Sequence, residues 1–92
     1  MIKTFRHRGL EKFFTAGSYK GIPGPNAARI ERMLDLLDAC ATPLDMAVPG
    51  FKFHELMGNR KGNFSISVTG NYRITFRFEG EDALDVDLED YH

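Results

Sequence analysis

The strongest constraint on this chain is the change of apolar spacing in its second half, from the helical period to the strand period. Phe64, Ile66 and Val68 alternate with Asn63, Ser65, Ser67 and Thr69. Tyr72, Ile74, Phe76 and Phe78 alternate with Arg73, Thr75 and Arg77, and Leu84, Val86 and Leu88 alternate with Asp85, Asp87 and Glu89. Successive side chains on a strand point to opposite faces, so each segment has one apolar and one polar face. That is the pattern of an antiparallel sheet covered on one side. Phe51 and Phe53, alternating with Lys52 and His54, suggest a further short strand, followed by a polar loop from Leu56 to Gly62.

Turn geometry fixes the register. A two-residue turn at Gly70-Asn71 would pair Thr69 with Tyr72, set Val68 beside Arg73 and scatter apolar residues over both faces. A three-residue loop, Thr69-Gly70-Asn71, instead pairs Val68 with Tyr72, Ile66 with Ile74 and Phe64 with Phe76, and brings Ser67 opposite Arg73. All apolar residues then share one face, and the other presents Lys52, His54, Arg73 and Arg77 to solvent.

The first half supplies the cover. Ile2 to Phe5 suits a short edge strand, and Leu10, Phe13 and Phe14 give a small helix one apolar face before Gly17 stops it. Gly17 to Pro25 is a loop carrying Tyr19 and Lys20. From Pro25, Ala27, Ile30, Met33, Leu34, Leu37 and Ala41 recur at helical spacing, with Arg29, Glu31, Arg32, Asp35 and Asp38 on the opposite face, until Thr42-Pro43 ends the run. The expected fold is α+β, with two N-terminal helices packed on one face of a small, mostly antiparallel twisted sheet. Residues 1–92 are too few to divide between two cores and are read as a single domain.

Cys40 is the only cysteine, which excludes an intramolecular disulfide framework and a Cys-rich zinc site and suits a reducing cytoplasm. No apolar run follows the basic start Met1 to Arg8, and no later run is long enough to span a membrane, so a cytoplasmic protein is expected. Net charge is −1, but its distribution is uneven. All 12 Lys and Arg lie at or before Arg77, giving that part +6, while the remainder holds seven acids and no base. A basic surface could meet phosphate, backed by an acidic last strand. Alternatively, that strand simply pairs with its basic neighbour, Arg73 with Asp87 or Glu89 and Arg77 with Asp85.

Metal-free cleavage of RNA needs a base for the 2′-hydroxyl proton, an acid for the 5′-leaving oxygen and cations for the charge that builds on phosphate. Histidine suits the proton roles, and arginine can bind two phosphate oxygens without losing its charge. No Ser-His-Asp or Cys-His pattern, phosphate-binding glycine loop or metal-ligand cluster competes with these residues. No metal or cofactor is expected.

The run Leu56-Met57-Gly58-Asn59-Arg60-Lys61-Gly62-Asn63-Phe64-Ser65-Ile66-Ser67-Val68, the later Asn71-Tyr72-Arg73-Ile74-Thr75-Phe76 and the terminal Asp90-Tyr91-His92 resemble the HigB toxins of the RelE/ParE superfamily. The opening Met1-Ile2-Lys3-Thr4-Phe5 and the length are also similar, so the likeness spans nearly the whole chain. It implies a RelE-like microbial ribonuclease fold and a ribosome-dependent endoribonuclease acting on messenger RNA. It also implies a HigA-like helix-turn-helix antitoxin as partner, the 70S ribosome as the place of action, contact with operator DNA only through the antitoxin, and no membrane. By position, His54, Arg73, Asp90, Tyr91 and His92 would form the active site. Lys20, Lys52, Arg60, Lys61 and Arg77 would contact RNA. Tyr72 stands where many relatives carry tryptophan, and by alternation belongs to the core.

Either His54 or His92 would take the 2′-hydroxyl proton, and the other would serve as acid. Arg73 would neutralise the phosphate, Tyr91 would position it or stack on a base, and Asp90 would orient a neighbouring side chain. A toxin of the same fold that only binds, as the ParE branch binds DNA gyrase, is the alternative. Alternation along Leu84, Val86 and Leu88 sends Asp90 and His92 toward the helix-backed face. Their membership of the site therefore requires the strand to end, twist or bulge near Glu89.

Overall fold

The computed structural model describes residues 1–90. Helix α1 spans Arg8–Ala16 and α2 spans Ala27–Ala39; the strands are β1 (His54–Glu55), β2 (Asn63–Ser67), β3 (Tyr72–Glu79) and β4 (Asp82–Asp90). The strands form an antiparallel sheet in the order β1-β2-β3-β4, so the chain has the expected α+β arrangement of helices followed by sheet.

Helix α1 starts at His7, whose ring Nδ1 accepts the Leu10 N–H at 2.9 Å. The helix ends at Gly17, where φ of 71° suits a residue without Cβ and the Gly17 and Ser18 amides close back on Phe13 and Lys12. A 3-10 turn from Gly24 to Asn26 contains Pro25 and leads into α2, which therefore begins two residues after the proline and stops at Ala39, short of Ala41. Ile30, Met33, Leu34 and Leu37 form its buried stripe.

Two charged residues assigned to the solvent side of α2 are instead structural. Asp38 accepts the Ile2 amide at 2.8 Å and anchors the N-terminal segment. Arg29 donates from Nε to the Val68 carbonyl at 2.8 Å and from Nη2 to those of Ser67 and Gly50, each at 3.1 Å. Its guanidinium also lies over the Phe51 ring, 5.3 Å from the centroid. Helical spacing marks which residues are apolar and inward, but long polar side chains at the stripe's margin reach groups that spacing does not show.

The three-residue loop between β2 and β3 is present. Phe64 pairs with Phe76, Ile66 with Ile74 and Ser67 with Arg73, and the Val68 amide bonds the Tyr72 carbonyl at 2.9 Å. A slip of one residue would turn the fully buried Ile66, Ile74 and Phe76 to solvent, costing roughly 1.5–3 kcal/mol each, which is why apolar alternation decided the register. Tyr72 packs against the core cluster as expected.

Two parts of the sheet depart from simple alternation. Lys52 adopts φ of 52°, so β1 begins only at His54, and Phe51 is buried in the core rather than paired in an extended strand. In β4 a bulge interrupts the pairing, which passes from Thr75↔Asp87 to Arg77↔Leu84. Asp85, at φ of 54°, takes up the extra residue. Leu84 consequently lies on the face away from the helices, and Ala83 replaces it in the core at 0% exposure. The N-terminal segment runs parallel to β4 on either side of the bulge, through bridges at Ile2↔Ala83 and Phe5↔Val86. Thr4 receives the Asp85 amide on its hydroxyl at 2.8 Å and the Val86 amide on its carbonyl at 3.1 Å. Among the described residues no helix is long and apolar enough to cross a membrane.

Candidate active site

Residues directly opposite one another on neighbouring strands share a face. On the face away from the helices, His54, Ser65, Thr75 and Asp87 form one row across all four strands, and Ser67, Arg73 and Glu89 form the next. The register thus brings His54 and Arg73 to the same face. With strands about 4.8 Å apart and a two-residue offset, their Cα atoms are separated by roughly 12 Å. Both side chains are long enough to reach a group lying between them.

His54 is exposed at the edge of the sheet, and its Nδ1 lies 3.0 Å from the Lys52 carbonyl. A carbonyl only accepts, so this bond uses the hydrogen on Nδ1 and turns Nε2 away from the Lys52 backbone. The left-handed turn at Lys52 aims that carbonyl back at the ring, so the residue that breaks β1 also orients the histidine.

Arg73 is held by Glu89, its direct cross-strand partner, through Nε at 3.0 Å and Nη2 at 2.9 Å, both on Oε1. Arg60, from the 3-10 turn Gly58–Arg60, reaches the same carboxylate through Nη1, at 3.2 Å, and Nη2. The Thr75 hydroxyl donates to Oε2 at 3.1 Å. The Arg60 bonds, then those of Arg73 and Thr75, outweigh partial burial and hold the Glu89 carboxyl at about 2, against an ordinary 4.5. Arg60 leaves a loop that joins β1 to β2 and ends on β4, so it lies across β3. Thr75, bonded to the Glu89 carboxylate, is buried although it faces away from the helices, as is Ser65 opposite it.

The other expected positions are dispersed. Arg77 is on the same face but tied to Asp85 at 2.7 Å and, more loosely, to Glu79 at 3.6 Å. The pairing of an acidic last strand with a basic neighbour is therefore present at Arg73 as at Arg77. Lys52 and Lys61 are exposed near β1. Lys20 lines a cleft of about 360 Å³ with His7, Arg8, Gly9, Lys12 and Gly21, which none of the other expected site residues enters. Asp90 pairs with Tyr72 and so keeps the parity of Leu88, on the side of the sheet that the helices cover. The bulge falls at Asp85, not near Glu89, and leaves this parity unchanged. Tyr91 and His92, both expected in the site, lie outside the described residues.

Glu89 is the site residue that sequence reading had placed only as a possible partner of Arg73. Its place opposite Arg73 depends on the β4 bulge, because the register Arg77↔Leu84, continued without it, would set Leu88 there. Nothing in the spacing of the loop pointed to Arg60 as its second partner. Among the described residues no three His, Cys, Asp or Glu side chains come together as ligands for a metal ion.

Residues 3–92 match the family model of HigB-like toxins, described as the RelE-like toxin of the type II toxin-antitoxin system HigB. The chain is 39% identical over 92 residues to Endoribonuclease HigB of Proteus vulgaris, covering all of both chains. It is 33% identical over 91 residues to Toxin HigB-1 of Vibrio cholerae serotype O1, covering 97% of this chain and 96% of that one.

Proposed function

The chain belongs to the HigB-like family of RelE-like toxins of type II toxin-antitoxin systems, and from that premise we propose that it is an endoribonuclease that cuts messenger RNA on the ribosome. The observation that carries the reading is the placement of His54 and Arg73 on one open sheet face, with the His54 Nδ1 held by the Lys52 carbonyl and Nε2 turned away from it. The full-length relative named an endoribonuclease supports it.

The scissile phosphate would lie between these two residues. His54 Nε2 takes the 2′-hydroxyl proton as that oxygen attacks phosphorus, and Arg73 stabilises the charge that accumulates on the non-bridging oxygens. The bond from phosphorus to the 5′-oxygen breaks, and the leaving oxygen is protonated by a second acid. The products are a cyclic 2′,3′-phosphate and a 5′-hydroxyl. These roles require neither metal nor cofactor. His92 is the proposed acid, or exchanges roles with His54. Tyr91 holds the phosphate or a base, and Asp90, which has the parity of the helix-covered side, would orient a neighbouring basic side chain from the end of β4 rather than from the His54 face. Lys20, Lys52, Arg60, Lys61 and Arg77 contact the RNA backbone, with Arg77 contributing least because Asp85 already holds it. The partners proposed are a HigA-like antitoxin and the ribosome, in the cytoplasm.

Primer extension on messenger recovered after brief expression tests this reading. Cuts within translated codons are expected from the wild-type chain and not from His54→Ala at equal protein level. Intact messenger with stalled replication would refute it and indicate a gyrase inhibitor of the same fold.

A further inference from the structure

Two guanidinium groups from separate parts of the chain end on one carboxylate. Arg73 is fixed in β3, whereas Arg60 sits in a short turn in which its own amide is 3.4 Å from the Met57 carbonyl, while the Lys61 amide bonds Gly58 at 3.1 Å. Met57 beside it is 82% exposed, and Leu56 is the buried apolar residue on that side of the turn. The cross-strand pair of Arg73 and Glu89 would serve the sheet without Arg60. Bringing a second cation beside the first opposes charge repulsion, and the Glu89 carboxylate is the group that offsets it. Each of its oxygens is shared: Oε1 between Arg73 and Arg60, Oε2 between Arg60 and Thr75.

We propose that Glu89 is a positioning residue that holds Arg60 and Arg73 side by side as a two-arginine seat for the phosphate, and in doing so lays the β1–β2 loop across the open face. The inference deepens the nuclease reading and rests on it. Two arginines and one carboxylate carry net charge +1 between them, which Asp87 on the same face offsets in part, so the seat would hold a phosphodiester through directed guanidinium N–H groups as well as through charge. The guanidinium planes are fixed before substrate arrives, so less order has to be imposed when it does. Glu89 need not touch the RNA. Its effect passes through the geometry of the two arginines.

The test compares the full-length wild type with Glu89→Gln, Glu89→Asp, Arg60→Ala and the double variant Glu89→Gln/Arg60→Ala. Two readouts are used: the kcat and KM of messenger cleavage on ribosomes, and the solvent exchange of the Arg73 Nε–H and Arg60 Nη–H protons by NMR. Glu89→Gln, which keeps shape and loses charge, is expected to lower kcat about 100-fold with little change in KM, as for a misplacement of about 1 Å. It should also speed exchange of both sets of protons. Glu89→Asp should recover part of the loss, and Arg60→Ala should cost much less in the Glu89→Gln background than alone. Unchanged proton exchange in a folded Glu89→Gln, or cleavage equal to or faster than wild type, would overturn the proposal. Faster cleavage would mean that the Arg60 strap obstructs the face. A wild-type chain that leaves messenger intact would defeat the nuclease reading alone, and proton exchange would still decide whether Glu89 holds the pair.

Discussion

Replacing Arg29 should destabilise the sheet end that carries the Ser67–Arg73 pair. Its guanidinium serves three carbonyls, those of Val68, Ser67 and Gly50, at 2.8 to 3.1 Å, and lies 5.3 Å from the Phe51 centroid. Charged hydrogen bonds contribute roughly 1.5–3 kcal/mol each when partly buried, but water can take over at Gly50, where the bond is exposed. Counting the two part-buried acceptors near the lower limit and about 0.5–1 kcal/mol for the ring contact gives roughly 3–4 kcal/mol for Arg29→Ala. Lysine reaches one carbonyl as a point charge and cannot form the fork, so Arg29→Lys should still lose about 2 kcal/mol. With a urea dependence of about 1.5 kcal/mol per molar, these losses move the unfolding midpoint down by roughly 2 M and 1.3 M. Urea titration followed by far-UV circular dichroism measures both. A loss under about 1 kcal/mol for Arg29→Ala, with unchanged slope, would show that the three bonds only replace equivalent bonds to water.

Three further outcomes are expected. His54→Ala should lower messenger cleavage by about 100- to 10,000-fold, the usual range for a lost proton-transfer group, while shifting stability by less than about 0.5 kcal/mol because the side chain is exposed; a comparable loss of stability would make it structural. Glu89 has its folded carboxyl held at about 2 against an ordinary 4.5, so its stabilisation is complete above about 4.5 and fades as pH falls toward 2. Solvent screening limits that contribution to about 1–2 kcal/mol, and the difference in urea midpoint between wild type and Glu89→Gln should shrink from pH 6 to pH 3; a constant difference would contradict it. At the β4 bulge, where φ is 54°, Asp85→Val should cost more than about 2 kcal/mol and Asp85→Gly distinctly less, since glycine accepts that backbone and a β-branched residue does not; equal thermal unfolding of the two variants would argue that the bulge relaxes.

Period and turn chemistry decided most of the architecture. Burial energy acts on every apolar residue of a strand together, so the alternation from Asn63 to Phe78 sets both the face and the register, and with them the meeting of His54 and Arg73 on open surface. The bulge at Asp85 was not legible because its partner, Thr4, is remote in sequence and meets it through two hydrogen bonds that leave no periodic trace. The same holds for Arg29 and Asp38, whose polarity suggested solvent but whose bonds run to the sheet end and the N-terminal segment. Resemblance, rather than spacing, supplied the membership of Asp90, and the register puts it opposite Tyr72 with the parity that plain alternation gives.

The sequence by itself determined that helices cover one face of an antiparallel sheet and that a histidine and an arginine share the other. Only the tertiary structure decided how those charges are held. Glu89 joins Arg73 to Arg60, and the Lys52 carbonyl orients the His54 ring. The physical reason is range: hydrophobic burial is collective and written along the chain, whereas a hydrogen bond depends on two groups whose approach exists only once the chain has folded.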